Sequence, residues 1–191
     1  MKLLFAYFEL KSGFKLSELD KELISEKFTL KKLRKRQYLL QEGDVCKYFS
    51  FIVHGAARTY SVDERGIEHI IHFGIEGWWL GDNESFTHHT PSRFNIDTLE
   101  DTTFLVITKN SLQELIEKIP AVASTIKTIN NQRAISVEKR IHAAISLTPE
   151  ERFDELSAAY PNLLQRFPLN MIASYLGISA KTLGRIRSKR K

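Results

Sequence analysis

PLNMIASYLGISAKTLGRIRSKRK, residues 168–191, is the stretch on which the reading of this chain turns. Pro168 suits the opening of a helix, whose inward face would be Ile172, Ala173 and Leu176. Gly177 falls where a tight turn between two helices needs a residue tolerant of positive φ. Ile178 plugs the turn, Ser179 can cap a second helix, and Leu183 and Ile186, three apart, bury that helix against the first. Ala173 is small where the two helices cross. The opposite face carries Lys181, Thr182, Arg185, Ser188 and Lys189. A helix presented in this way enters the major groove with its N-terminal residues at base edges. Arg185 has the planar fork that suits guanine O6 and N7, and Asn170 is placed to reach a phosphate oxygen. The candidate DNA-contacting residues are therefore Asn170, Ser179, Ala180, Lys181, Thr182, Arg185 and Lys189.

Charge agrees with that reading. From Pro161 onward there are seven basic residues (Arg166, Lys181, Arg185, Arg187, Lys189, Arg190, Lys191) and no acid, against a formal charge of +5 for the whole chain. More than the net charge thus sits in the last sixth of the sequence, where neutralising phosphates would use it. A basic helix end is ordinarily just a solvated face. The conjunction of small residue, Gly turn, apolar plug, Ser cap and basic outer face favours double-stranded DNA as partner.

Working upstream, LTPEERF (147–153) reads as a helix restart, with Thr148 as N-cap, Pro149 in the first turn and Glu151 three residues after the cap. That helix reaches about Ala159 and Pro161 ends it. From about Ala121 to Ile145 there is neither Gly nor Pro, which predicts one long helix, preceded by an amphipathic segment over 111–119. Between Phe28 and about Ile107 the texture is different. FSFIVHG (49–55), AARTYSV (56–62), EHIIHFG (68–74) and TTFLVIT (102–108) are β-rich runs separated by the turn-forming EGD, DERG, GIEG and HHTPS. Short strands at close spacing predict a β-sandwich or barrel. Residues 14–27 fit a short amphipathic helix. The fold class is α+β: a β-rich domain, a long helix and a small helical domain joined near Leu147.

Composition excludes several alternatives. The single cysteine, Cys46, allows no intramolecular disulfide and no cysteine cluster for zinc or an iron–sulfur centre. No stretch is long and apolar enough to cross a bilayer, and the N-terminal apolar run, Leu3 to Phe8, is too short for a signal peptide. A cytoplasmic protein with no membrane partner is expected.

IASYLGIS…TLGRIR, YFSFIVHGAARTY and the EGD turn resemble the corresponding segments of the Crp/Fnr family, the cyclic-AMP-receptor-like transcription regulators, over nearly the full length. The resemblance implies a cyclic-nucleotide-binding-like sensor domain built as a double-stranded β-helix (1–118), a dimerisation helix (119–146) and a helix-turn-helix DNA-binding domain (147–191). It implies a homodimer on a roughly palindromic site, with RNA polymerase as a further partner. In that family a Gly-Glu pair opens a ligand cassette and an Arg-Ser pair about ten residues later holds the phosphate. Here the stretch is GDNESFTHHTPSRF (81–94): Gly81 and Asp82 match the opening, Asn83 follows, Ser92 stands where the Arg belongs, and Arg93 is one place on. On the long helix Arg133 matches a base-contacting position, while Val137 and Glu138 replace small hydroxyl residues. Gly81, Asp82, Asn83, Ser92, Arg93 and Arg133 are the candidate ligand residues, for a small effector other than cyclic AMP. No other cofactor is implied. Ala180 and Lys181 depart from the family's recognition helix, so the preferred site should differ from its best-known one.

Other features carry less. Of six histidines (54, 69, 72, 88, 89, 142), none has a recognised ligand spacing, and no metal site is assigned. His69 and His72 should face opposite sides of a strand, His88 and His89 occupy a turn-like stretch, and His142 reads as interface or core. Trp78 and Trp79 read as core packing or pocket lining. Lys27, Lys31, Lys32, Arg34, Lys35 and Arg36 read as a solvated face. No catalytic constellation stands out, so no enzyme is expected. A ligand-sensing or metal-dependent β-barrel acting without DNA is the alternative. At a two-fold interface, Ile126 and Ile129 of the long helix are expected to meet their mates.

Overall fold

The computed structural model describes residues 1–190, so Lys191, counted above among the basic residues, lies outside the described residues. Two antiparallel four-stranded sheets build the first half. One contains β1 (Thr29–Leu33), β8 (Thr102–Ile107), β3 (Phe49–His54) and β6 (Trp79–Leu80), in that order across the sheet. The other contains β2 (Tyr38–Leu40), β7 (Asn95–Thr98), β4 (Ala57–Val62) and β5 (Glu68–Gly74). The order, in which sequence neighbours mostly lie in opposite sheets, is that of the expected double-stranded β-helix. Gly55 turns β3 into β4 at φ +104°, and a Cβ there would fall 2.5 Å from Thr102 Oγ1, so the close pass requires glycine.

Alternation along β3 decides what covers the first sheet. Phe49 and Phe51 point to one face, where Trp79 stacks on Phe49 at 4.6 Å and Phe8 and Phe28 lie about 6 Å from the same indole. Phe8 belongs to α1 (Lys2–Ser12) and Phe28 follows α2 (Glu18–Lys27). The first of these helices was not anticipated from the sequence. Its signal is the pair Leu4 and Phe8, four apart and fully buried, with Gly13 in the left-handed conformation closing the helix. A one-and-a-half-turn helix, α3 (Asn83–His88), follows β6.

After α4 (Lys109–Lys118) comes α5 (Pro120–Ser146), 27 residues long. Its first half packs on the sensor through Val122, Thr125 and Ile129. This corrects the expected dimer contacts, because Ile129 is buried in the chain's own core and Ile126 packs partly against it. The second half instead leaves Ile135, Val137, Ile141 and Ile145 exposed, the last by 80%. His142 is exposed as well, so it is not a core residue.

Leu147 is extended and separates α5 from α6 (Pro149–Ala159), whose N-terminus has the predicted capping box of Thr148 and Glu151. Then come α7 (Leu163–Arg166), α8 (Leu169–Leu176) and α9 (Ala180–Ser188). These helices do not stand apart. A single apolar cluster joins Ala56, Tyr60, Ile70 and Phe73 of the sensor to Phe153, Phe167, Ile172 and Leu183. Phe73 and Phe167 have ring centroids 4.2 Å apart. The Ser174 hydroxyl accepts from Ile70 N and donates to Glu68 O, both at 3.0 Å, satisfying the edge of β5. The β-rich part and the C-terminal helices are distinct as sequence segments but share this core, while the first half of α5 packs into the other one.

Candidate nucleic-acid interface and sensor cassette

The α8–α9 hairpin has the geometry that its residue pattern predicts. Ile172, Ala173 and Leu176 are buried on one helix, Leu183 and Ile186 on the other, and Ile178 packs against the same cluster. Gly177 ends α8 at φ +66°, its N–H bonded back to Ala173 and Ser174 carbonyls. Ser179 Oγ accepts from Thr182 N at 3.0 Å and lies 2.8 Å from Thr182 Oγ1, which fixes the first turn of α9.

Outward from that turn the charged side chains of α9 are free of ion pairs among the described residues. Asn170, Ser179, Ala180, Lys181, Arg185 and Lys189 are exposed and Thr182 is half-buried. Lys181, Arg185, Arg187 and Lys189 make no ion pair among the described residues. Two members of the basic run are employed differently. Arg166 donates to Glu76 at 2.6 and 2.8 Å and also pairs with Glu100, tying α7 to the sensor. Arg190 pairs with Asp154 and lies over the Phe153 ring. Their charge is neutralised internally, so the face available to a polyanion is narrower than the sequence count suggests.

The cassette is arranged in the opposite way. Asp82 is buried and caps α3, accepting from Glu84 N at 3.0 Å and Ser85 N at 3.3 Å. Its other oxygen accepts from Ser92 Oγ at 2.8 Å, and that hydroxyl in turn accepts from Phe94 N at 3.0 Å. Arg133 reaches in from α5, donating to Asn83 Oδ1 at 2.9 Å and to Gly81 O at 3.4 Å, with its guanidinium over Phe49. Burial pulls the Arg133 pKa below its ordinary value, against the stabilising charge of Asp82. Five of the six ligand candidates are thus brought together and bonded to one another. Arg93 is a correction: it is exposed and pairs with Glu84 at 3.3 Å, so it does not enter the cassette. Arg93 lies in a bend ahead of β7, where Ser92 turns inward and Arg93 to solvent. Beside Gly81 the space between the sheets holds a cavity of about 520 Å³, walled also by Lys31, Leu40, Cys46 and Ile96. Ser50 Oγ, buried in that wall, has no hydrogen-bond partner among the described residues.

The remaining singled-out residues divide. Trp79 is core, whereas Trp78 meets Tyr160 of the C-terminal unit edge-on at 5.3 Å. His69 is exposed beside Asp63 at 3.1 Å while His72 turns inward, as their spacing predicted. His88 ends α3, and His89 follows in the left-handed conformation. Cys46 is buried, which raises its thiol pKa. Lys27 pairs with Glu26 and Glu114 rather than standing free. Among the described residues no cluster of three or more His, Cys, Asp or Glu is arranged to hold a metal ion, and no helix is long and apolar enough to cross a membrane.

Comparison with known proteins gives a consistent result. Residues 30–119 match the family described as the cyclic nucleotide-binding domain. The chain is similar to the anaerobic regulatory protein of Aggregatibacter actinomycetemcomitans, at 27% identity over 82% of this chain and 64% of that protein. It is also similar to electron transport regulator A of Shewanella oneidensis, at 26% identity over 90% of this chain and 70% of that protein. The matches thus span about two thirds of these relatives' lengths. Among solved structures, FixK2 from Bradyrhizobium japonicum superposes with a TM-score of 0.70 at 20% identity, covering 85% of this chain and 83% of that one. These relatives are named as regulators, not as enzymes.

Proposed function

We propose that this chain is a transcription regulator of the Crp/Fnr type that acts in the cytoplasm as a homodimer reading double-stranded DNA with α9. One observation carries the reading: α9 is divided lengthwise. Leu183 and Ile186 anchor it, while Lys181, Arg185 and Lys189 are exposed without charge partners among the described residues. A rigid helix with an unspent cationic face is what insertion into a major groove requires.

The exposed Val137, Ile141 and Ile145, at i, i+4 and i+8, form an apolar stripe on the half of α5 that the sensor does not cover. A second copy would bury the same stripe about a two-fold axis and set the two α9 helices in successive major grooves. Ile141→Glu should then convert a dimer to a monomer in light scattering at micromolar concentration.

For the sensor, the reading is a small effector other than cyclic AMP. A nucleotide phosphate entering the cassette would meet the Asp82 carboxylate, and would have to displace its bonds to Ser92 and the α3 amides. Effector binding would shift the balance between orientations of α6–α9 about the extended Leu147. Contact with RNA polymerase belongs to the same reading, and in vitro transcription from a selected operator tests it.

The central test is Arg185→Ala. Loss of a bidentate guanine contact should cost about 1–3 kcal/mol, roughly 5- to 150-fold in affinity, and relax selectivity at one base pair. Unchanged affinity and selectivity would overturn DNA reading by α9.

A further inference from the structure

Between α1, β5, the middle of α5 and the end of α6 lies a crevice that stands apart from the recognition helix and shares only Arg133 with the cassette. Its volume is about 490 Å³, and a smaller space of about 100 Å³ adjoins it. His72, Phe73, Trp78, Ser136 and Tyr160 line both.

The charges around this crevice are unbalanced. Arg133 forms part of the wall of the larger space and Arg140 part of the wall of the smaller. Arg133 donates only to the Asn83 amide oxygen and the Gly81 carbonyl. Arg140 donates to the carbonyls of Ile71 at 2.5 Å and Ile70 at 3.2 Å, and stacks over Tyr175 at 4.4 Å. Neither guanidinium has a carboxylate partner among the described residues. Lys11 adds a third cation to the wall. The one carboxylate there, Glu76, is committed to Arg166 and to Gly55 N at 2.8 Å. Withdrawing guanidinium groups from water with no carboxylate in contact is unfavourable, even with Asp82 acting on Arg133 from a distance, and an anion bound between them would offset the cost.

His72 sits among these cations with no side-chain hydrogen bond among the described residues. Burial, then the charges of Arg133 and Arg140, push its pKa down to about 4, so at neutral pH it offers one N–H without adding a charge. The rest of the wall is aromatic. Trp78 and Tyr160 meet edge-on at 5.3 Å, and Tyr160 remains 40% exposed, which leaves the mouth open.

We propose that this crevice binds a small aromatic carboxylate of one or two rings, with its charge held by Arg133, Arg140 and His72 and its ring against Trp78 and Tyr160. The proposal rests on the reading of the chain as an effector-controlled regulator and names the effector's chemical class. Its position explains how binding reaches DNA. His72 belongs to the sensor, Arg133 and Ser136 to the dimerisation helix, and Tyr160 to the DNA-binding unit. A ligand touching all three favours one orientation of the recognition helices over others.

Calorimetry on the full chain without DNA tests it, with 2-naphthoate as probe and 2-naphthalenemethanol and inorganic phosphate as controls. The carboxylate should bind once per chain, the neutral alcohol at least about tenfold more weakly, and phosphate not measurably at about 1 mM. Arg133→Gln should weaken 2-naphthoate at least about tenfold, and Arg140→Lys should retain more affinity than Arg140→Gln. Ser136→Trp, which fills the crevice, should abolish binding, while the outward-facing Arg93→Ala leaves it unchanged. Thermal melting of each variant confirms that it is folded. Equal binding of the alcohol, no binding of 2-naphthoate, or full binding by folded Ser136→Trp would overturn the proposal. None of these outcomes bears on α9, whose own test is duplex binding by Arg185→Ala.

Discussion

Helix α9 and the segment around Asp82 both resemble the same family, yet their polar side chains meet opposite fates. On α9, Lys181, Arg185 and Lys189 have no ion-pair partner among the described residues and are exposed to solvent. In the cassette, Asp82 and Ser92 satisfy one another and nearby backbone. A polar group already paired inside the protein must break those bonds before it can bind a ligand, and that cost comes out of the affinity. The same kind of sequence match therefore points to a working surface in one region and to a closed one in the other. What separates them is the state of the hydrogen bonds, which a residue-type match does not report.

The comparison can be broken or sharpened experimentally. Removing the anchor under the free face should have the largest effect. Leu183 is fully buried, so Leu183→Ala should cost about 2–5 kcal/mol and lower the melting temperature by roughly 5–15 °C in calorimetry, with DNA binding lost as α9 loosens. In the closed region, Asp82→Ala leaves the first α3 amides unpaired and takes one partner from the Ser92 hydroxyl, which keeps its bonds to Phe94. A loss of about 1–3 kcal/mol by urea titration is expected, without any gain of cyclic AMP binding, since Ser92 still stands where an arginine is needed. Measurable cyclic AMP affinity in that variant would show that Asp82 alone had closed the site. On the free side, Ser179→Ala removes the cap of α9 and should cost about 1 kcal/mol, with a modest rise in the Kd for DNA.

A pH series adds a check on the buried crevice. The folded-state pKa of His72 lies below its ordinary value, so the unfolded chain binds the proton more tightly. The His72-dependent stability is therefore complete above about 6.5 and declines as pH falls toward about 4, and His72→Gln should flatten that slope in melts across the window. The smallest effect is expected from Arg93→Ala. Its pairing with Glu84 is solvent-exposed, and the change in stability should stay within about 0.5 kcal/mol.

Much of this architecture was legible in local patterns. The α8–α9 hairpin followed from the helical spacing of Ile172, Leu176, Leu183 and Ile186 together with a glycine and a cap, all short-range features. The long helix and the capping box at Thr148 were equally local. Less legible were α1, whose apolar residues are spread around the helix so that only Leu4 and Phe8 mark the buried side, and α3, which is too short to show a period. The uses of Arg166 and Ile129 were hidden for another reason. Each is decided by a partner distant in sequence, Glu76 and Glu100 for the arginine and the sensor core for the isoleucine.

By itself, then, the sequence determined the order of the parts, the kind of secondary structure in most of them and the cationic outer face of α9, because periodicity, turn chemistry and charge act between near neighbours. Only the tertiary structure decided which charges stay free, which half of α5 remains uncovered, and that His72, Arg133, Arg140, Trp78 and Tyr160 surround one crevice. These depend on packing between strands and helices scores of residues apart, and burial and pairing are properties of that packing rather than of any residue's type.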